Sequence, residues 1–133
     1  MAERVLIVDD DDIVRESLNA VLQNRGFACE QAIDGEQALQ RLGEQEFDVV
    51  ITDLEMPRLN GIELIERVSL LNNRTSFILI TAYGSMETAI EALKTGAYDY
   101  IAKPIDPDEL VHLVSNALGH KRYRRELERL REN

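Results

Sequence analysis

Five strand-like runs alternate along this chain with stretches whose apolar residues recur at helical spacing, and three of the runs end abruptly in charge. Val5-Leu6-Ile7-Val8 meets Asp9 and Asp10. Val49-Val50-Ile51-Thr52 meets Asp53, and Tyr100-Ile101-Ala102 meets Lys103 with Pro104 directly behind it. Uninterrupted apolar stretches of this length, bounded by turn signals, read as strands buried on both faces, as in a parallel sheet. In open parallel sheets ligands bind at the carboxyl ends of strands. If these strands are neighbours, three carboxylates and one ammonium converge on one small volume.

The alternation predicts βαβ units and a mainly parallel sheet. After the first strand, Ile13, Leu18, Val21 and Leu22 are read as an apolar helical stripe, and Gly26 is placed to end that helix. A strand around Cys29 follows. Asp34 with Gln37 looks like a capping box for a helix through Ala38, Leu39 and Leu42. Strand 47–52 leads to Asp53 and then to Leu54-Glu55-Met56-Pro57-Arg58-Leu59-Asn60-Gly61, a turn rich in Pro, Asn and Gly. Ile62, Leu64, Ile65 and Val68 suggest the third helix, and residues 77–81 the fourth strand. Ser85 can cap a helix carrying Ala89, Ile90 and Leu93, with Gly96 as its stop. Strand 98–102 is last, and Asp106-Pro107-Asp108-Glu109 is a strong helix start. With right-handed crossovers, five strands and five helices give a doubly wound, three-layer α/β fold.

At 133 residues, 44% apolar and 30% charged, the chain fits one soluble globular domain. No stretch approaches the roughly 20 apolar residues of a membrane span, and no cleavable signal opens the chain, so the cytoplasm is the expected compartment. The single cysteine, Cys29, excludes an intrachain disulfide and reads as inert packing. Charge is uneven. Residues 119–133 hold six Lys/Arg and three Glu, a net of +3, and because the whole chain carries −10 the remainder carries −13. An acidic body repels phosphates, which argues against direct nucleic-acid binding by this domain and favours a metal cation or a basic partner.

An acidic helix cap accounts for Asp11 and Asp12. It does not explain Asp53, which closes a buried strand. Crowded carboxylates repel by about 1–4 kcal/mol per pair near a surface. A hard divalent cation offsets that, and Mg²⁺ suits one or two carboxylates with retained waters. A metal-neutralised carboxylate beside a lysine can accept a phosphoryl group, a transfer that needs positioning and charge cancellation above all. Asp53 stands alone at its strand end and is the better nucleophile. Asp9 and Asp10 then serve as metal ligands, with Lys103 a further positive charge. Thr81 ends the fourth strand, where its hydroxyl could reach a phosphoryl oxygen; taken alone it is an ordinary β-branched strand residue.

Over nearly all of residues 4–118 the chain resembles a response-regulator receiver domain. The matching pieces are Val5-Leu6-Ile7-Val8-Asp9-Asp10, Asp53 with Met56-Pro57 and Gly61, Thr81-Ala82, and Tyr100 with Lys103-Pro104. Each is weak alone; together, in order and at the family's spacing, they are specific. The resemblance implies a flavodoxin-like sheet of order 2-1-3-4-5 and a phosphoacceptor at Asp53 served by a sensor histidine kinase. It implies Mg²⁺ held by Asp10 and Asp53, by Asp9 directly or through water, and by the backbone carbonyl of Glu55. It implies that Lys103 binds phosphate across a usually cis bond to Pro104, and that Thr81 and Tyr100 form the switch pair. Glu55 and Tyr83 lie where the family tunes phosphoryl lifetime. The chain would then be no enzyme acting on an outside substrate; it would catalyse only its own phosphorylation and dephosphorylation. The segment Asn72-Asn73-Arg74-Thr75-Ser76 lacks the proline often seen before the fourth strand, a loop variation only.

The expected division is a receiver domain over 1–119 and a linker helix over 120–133. Tyr123, Leu127 and Leu130 fall at i, i+4 and i+7, either a solvated continuation of the last helix or a seam that pairs with a twin. Dimerisation is expected through that helix or through a face of helix 4, strand 5 and helix 5. The segment from Thr81 to Ala89 is similar to receivers that precede a sigma-54-type AAA+ ATPase. The chain is thus read as a domain excised from such a regulator or as a stand-alone receiver. His112 and His120 read as surface positions. Two rivals stand beside this reading: a haloacid-dehalogenase-type Mg²⁺ phosphatase built on Asp9 and Asp11, and a passive Ca²⁺ module, disfavoured because no EF-hand loop pattern is present.

Overall fold

A computed structural model describes residues 3–71, 74–82 and 86–132. The alternation is realised as β1 (Arg4–Val8), α1 (Asp12–Asn24), β2 (Ala28–Ala32), α2 (Gly35–Glu44), β3 (Val49–Asp53), α3 (Gly61–Leu71), β4 (Ser76–Thr81), α4 (Met86–Thr95), β5 (Asp99–Ala102) and α5 (Pro107–Glu132). All five strands are parallel in the order β2-β1-β3-β4-β5, the order the resemblance implied. Side-chain alternation along the strands splits the core in two. Leu6, Val8, Val50 and Leu79 pack on one face with Ala38 of α2, Leu64, Ile65 and Val68 of α3 and Ala92 of α4. Val5, Ile7, Val49, Ile51, Ile78 and Ile80 pack on the other with Leu18 and Leu22 of α1 and Leu110, Val114 and Ala117 of α5. Because both faces are covered, the strands read as continuous apolar runs.

Helix starts follow their caps. Asp11 accepts from the N–H of Ile13 and of Val14 at the head of α1, and Asp106 accepts from the N–H of Asp108 at the head of α5. At α2, Asp34 Oδ1 accepts from Gln37 N–H, but Gln37 Oε1 accepts from Ile33 rather than from Asp34, so the expected box closes one residue early. The full reciprocal box lies at α3, where Asn60 and Glu63 each accept the other's N–H at 2.9 and 3.0 Å. Within the turn after β3 this cap had passed as loop.

Ile13 is a correction. It was placed in the α1 stripe, yet it is 78% exposed. A separation of five residues from Leu18 turns the helix about 140° away from a common face, and Arg15 takes the buried position instead. Ile90 and Leu93 of α4 are also substantially exposed, so that helix covers the sheet with Ala92. The cap proposed at Ser85, the position of Tyr83, the pair Asn72-Asn73 and the side chains of Ala89, His120 and Tyr123 lie outside the described residues. His112 is exposed on α5, as expected.

Gly61 opens α3 with no room for a side chain: an added Cβ would lie 2.9 Å from the Asp53 carbonyl oxygen and 3.1 Å from Leu54 Cα. Backbone cannot yield as a side-chain end does. Gly61→Ala is therefore expected to destabilise the fold by about 1–3 kcal/mol, read by urea denaturation, and to shift the resonances of Asp53.

Candidate functional site

Register brings the charged run-ends together. Val8 pairs with Thr52, so Asp9 and Asp53 emerge side by side one residue later. On the far side of β3, Leu54 N–H donates to Ile80 O, and Lys103 N–H donates to Thr81 O at 2.9 Å. The carboxyl ends of β1, β3, β4 and β5 thus supply Asp9, Asp10, Asp53, Thr81 and Lys103 to one rim. Carboxylate oxygens of Asp9, Asp10 and Asp53 lie within 4.8 Å of one another. Lys103 Nζ stands 3.7 Å from Asp53 Oδ2, too long for a hydrogen bond but close for charge. The Lys103–Pro104 peptide bond is cis.

Asp9 is fully buried and Asp53 is 8% exposed. Backbone N–H groups hold one oxygen of each: Asp11 donates to Asp9 Oδ1 at 2.9 Å and Glu55 to Asp53 Oδ1 at 3.2 Å. Asp9 Oδ2 is buried with no hydrogen-bond partner among the described residues. Burial pushes the Asp9 carboxyl up to about 6; the Asp11 N–H works against that rise and the Asp53 charge adds to it. Burial also raises Asp53, with Lys103 pulling the other way.

A buried carboxylate oxygen without a hydrogen-bond partner, in a cluster of three acids faced by one ammonium, leaves negative charge uncompensated. The donor set is all oxygen, the chemistry of a hard cation such as Mg²⁺. Glu55 follows Asp53 closely enough for its carbonyl to belong to the same rim. Thr81 is buried at the end of β4, and Tyr100 is half-buried against the core beside it on β5. The haloacid-dehalogenase reading loses its second carboxylate here. Asp11 is engaged in capping α1, and the acid beside Asp9 is Asp53 from another strand.

Arg15 was missed. Its side chain is 9% exposed, and its guanidinium reaches Asp9, Asp12 and Gln31 at once. The signal was present: Arg15, Leu18 and Leu22 share the i, i+3, i+7 face, so an arginine sits in the buried stripe. A buried arginine must have its donors met by something nearby.

A family model described as the response regulator receiver domain matches residues 5–115. The regulatory protein AtoC of Escherichia coli K12 is 40% identical over 97% of this chain, which spans 28% of that protein. NtrX from Brucella abortus has a solved structure with a TM-score of 0.93 at 30% identity; the match covers 98% of this chain and 30% of that one. A response regulator receiver domain protein from Clostridium thermocellum gives 0.87 at 28% identity, covering 91% of this chain and 98% of that one. The chain therefore spans about a quarter to a third of the first two, and nearly all of the third. Among the described residues no helix is long and apolar enough to cross a membrane.

Proposed function

This chain belongs to the response regulator receiver domain family of two-component signalling, and from that membership we propose that it takes a phosphoryl group from a histidine kinase onto Asp53, in the cytoplasm, and changes conformation in response. The observation that carries the reading is the cluster itself: three acids within 4.8 Å, one with an unpartnered buried oxygen, and an ammonium at their edge. In the transfer an Asp53 carboxylate oxygen forms the new bond to phosphorus as the bond to the donor nitrogen breaks, the electron pair leaving with the imidazole. Glu55 N–H holds Oδ1, which leaves Oδ2 the freer oxygen for attack. Lys103 supplies positive charge where the equatorial oxygens arrive. Asp9, Asp10, Asp53 and the Glu55 carbonyl would hold Mg²⁺, which supplies the remaining neutralisation of that charge. Incubation with acetyl phosphate and Mg²⁺ followed by peptide mapping is expected to place the adduct on Asp53; an adduct on Asp9 would overturn the reading.

A phosphoryl group acts only through contacts that differ between two conformations. Thr81 can reach it from the end of β4, and Tyr100 beside it can turn inward to fill the space behind. Thr81→Ala is expected to accept beryllofluoride while losing the chemical-shift changes at Tyr100 and along α4 and α5. The wild type should show both; shifts confined to the Asp53 loop there would sink the switch. Residues 1–119 form the receiver and 120–133 a linker helix, supported by the unbroken run of α5 to Glu132. In a longer regulator that linker would lead to an output domain, which would do any DNA binding. Ile90 and Leu93, exposed on α4, support a homodimer through the α4–β5–α5 face, with Leu130 on the linker, 60% exposed, offering a second seam.

A further inference from the structure

Arg15 has no part in the transfer above, yet it is among the few charged side chains the fold buries. Its Nη1 donates to the Asp9 backbone carbonyl at 2.8 Å, Nε donates to Gln31 Oε1 on β2 at 3.0 Å, and Nη2 donates to Asp12 Oδ1 at 2.6 Å. One planar group thus ties together the end of β1, the head of α1 and the neighbouring strand. The segment it spans carries the carboxylates of Asp9 and Asp10, which repel each other and Asp53. A turn loaded with like charges tends to open. The Asp9 N–H bond to Ala32 O at 3.2 Å is long, and Arg15 gives the same residue a shorter, charge-assisted anchor on its carbonyl.

We propose that Arg15 is a positioning residue for the cation site: with Gln31 and Asp12 it clamps the turn after β1 so that the Asp9 and Asp10 oxygens stay in reach of Asp53. The inference rests on the reading that Mg²⁺ binds these acids. Two effects of Arg15 on a cation oppose each other. As a bare charge it would repel the ion, and its loss would tighten binding; as a clamp it preorganises the ligands, and its loss would weaken binding. The carboxylate of Asp12 at 2.6 Å makes the guanidinium half of an ion pair, so its net field at the site is small and the clamp dominates.

Mg²⁺ titrations followed by ¹⁵N–¹H NMR separate these effects in three proteins. The wild type should bind saturably. Arg15→Lys keeps the charge but loses the planar fork, and its Kd should rise about tenfold, as for loss of a supporting group behind a metal ligand. Gln31→Met, a change neutral in charge at a side chain that bonds the guanidinium, should raise the Kd by roughly threefold. If Arg15→Lys fails to fold, Gln31→Met decides alone. Folded variants with wild-type or tighter Mg²⁺ binding, whatever their metal-free thermal midpoint, would overturn the clamp. A wild type that binds no Mg²⁺ would overturn the underlying reading, and the clamp with it.

Discussion

Asp53→Ala is expected to take up no label from acetyl phosphate and Mg²⁺, whereas Asp9→Asn should still be labelled, on Asp53 and at lower yield. The two acids are neighbours in the same cluster, so the asymmetry tests role rather than location. On the proposed reading Asp53 provides the oxygen that bonds to phosphorus, and no neighbouring acid takes its place. Asp10 is exposed, and Asp9 is sealed below the rim with no exposure at all. Loss of the label to background follows. On the same reading Asp9 would contribute charge to the cation, and removing one carboxylate from such a set is worth about 1–4 kcal/mol. Its effect should therefore be about fivefold or more at limiting Mg²⁺ and should shrink as Mg²⁺ is raised, read by intact-protein mass after short incubation. The reverse pattern, with label lost in Asp9→Asn and kept in Asp53→Ala, would restore the phosphatase reading that Asp11 otherwise leaves without a partner.

Much of this site was legible because the strands are buried on both faces. An apolar run that stops at Asp9 or Asp53 can only be reporting the sheet's rim, and a parallel register puts all such rims on one side. What escaped were residues whose meaning depends on a neighbour that is distant in sequence. Arg15 reads as one more surface charge until Gln31 and the Asp9 carbonyl are seen around it. The Asn60–Glu63 box was hidden by turn-forming neighbours that share its composition. Ile13 was misjudged for the opposite reason: an apolar residue at a helix start invites burial, but its angle around the helix denies it. Gly61 looked like loop punctuation, and only packing reveals that Asp53's own carbonyl demands it.

Without Mg²⁺, the Asp9 contribution to stability is expected to fall as pH rises from about 4 to about 7. In the fold its carboxyl is pushed up to about 6, against an ordinary value of 3.8. Between these values the folded state holds a proton that the unfolded chain has released. Stability from this group is thus fully present below the unfolded value and lost as pH rises through the folded one. The size is on the order of 2–3 kcal/mol, and the raised Asp53 carboxyl acts in the same direction. Urea denaturation in EDTA at pH 5 and pH 7.5, wild type against Asp9→Asn, isolates the contribution. The variant should be the more stable protein at pH 7.5, with the gap closing at pH 5. Mg²⁺ should narrow that gap, since at a hundred times its Kd a ligand adds about 2.7 kcal/mol to the state that binds it and the wild type binds it more tightly than the variant. A wild type that gains on Asp9→Asn as pH rises without metal would mean that the buried carboxylate is already paired within the fold. The unpartnered Asp9 Oδ2 argues otherwise: the buried, uncompensated charge that weakens the metal-free domain at neutral pH, chiefly through its lost hydration, is the same charge that gives the cation its affinity.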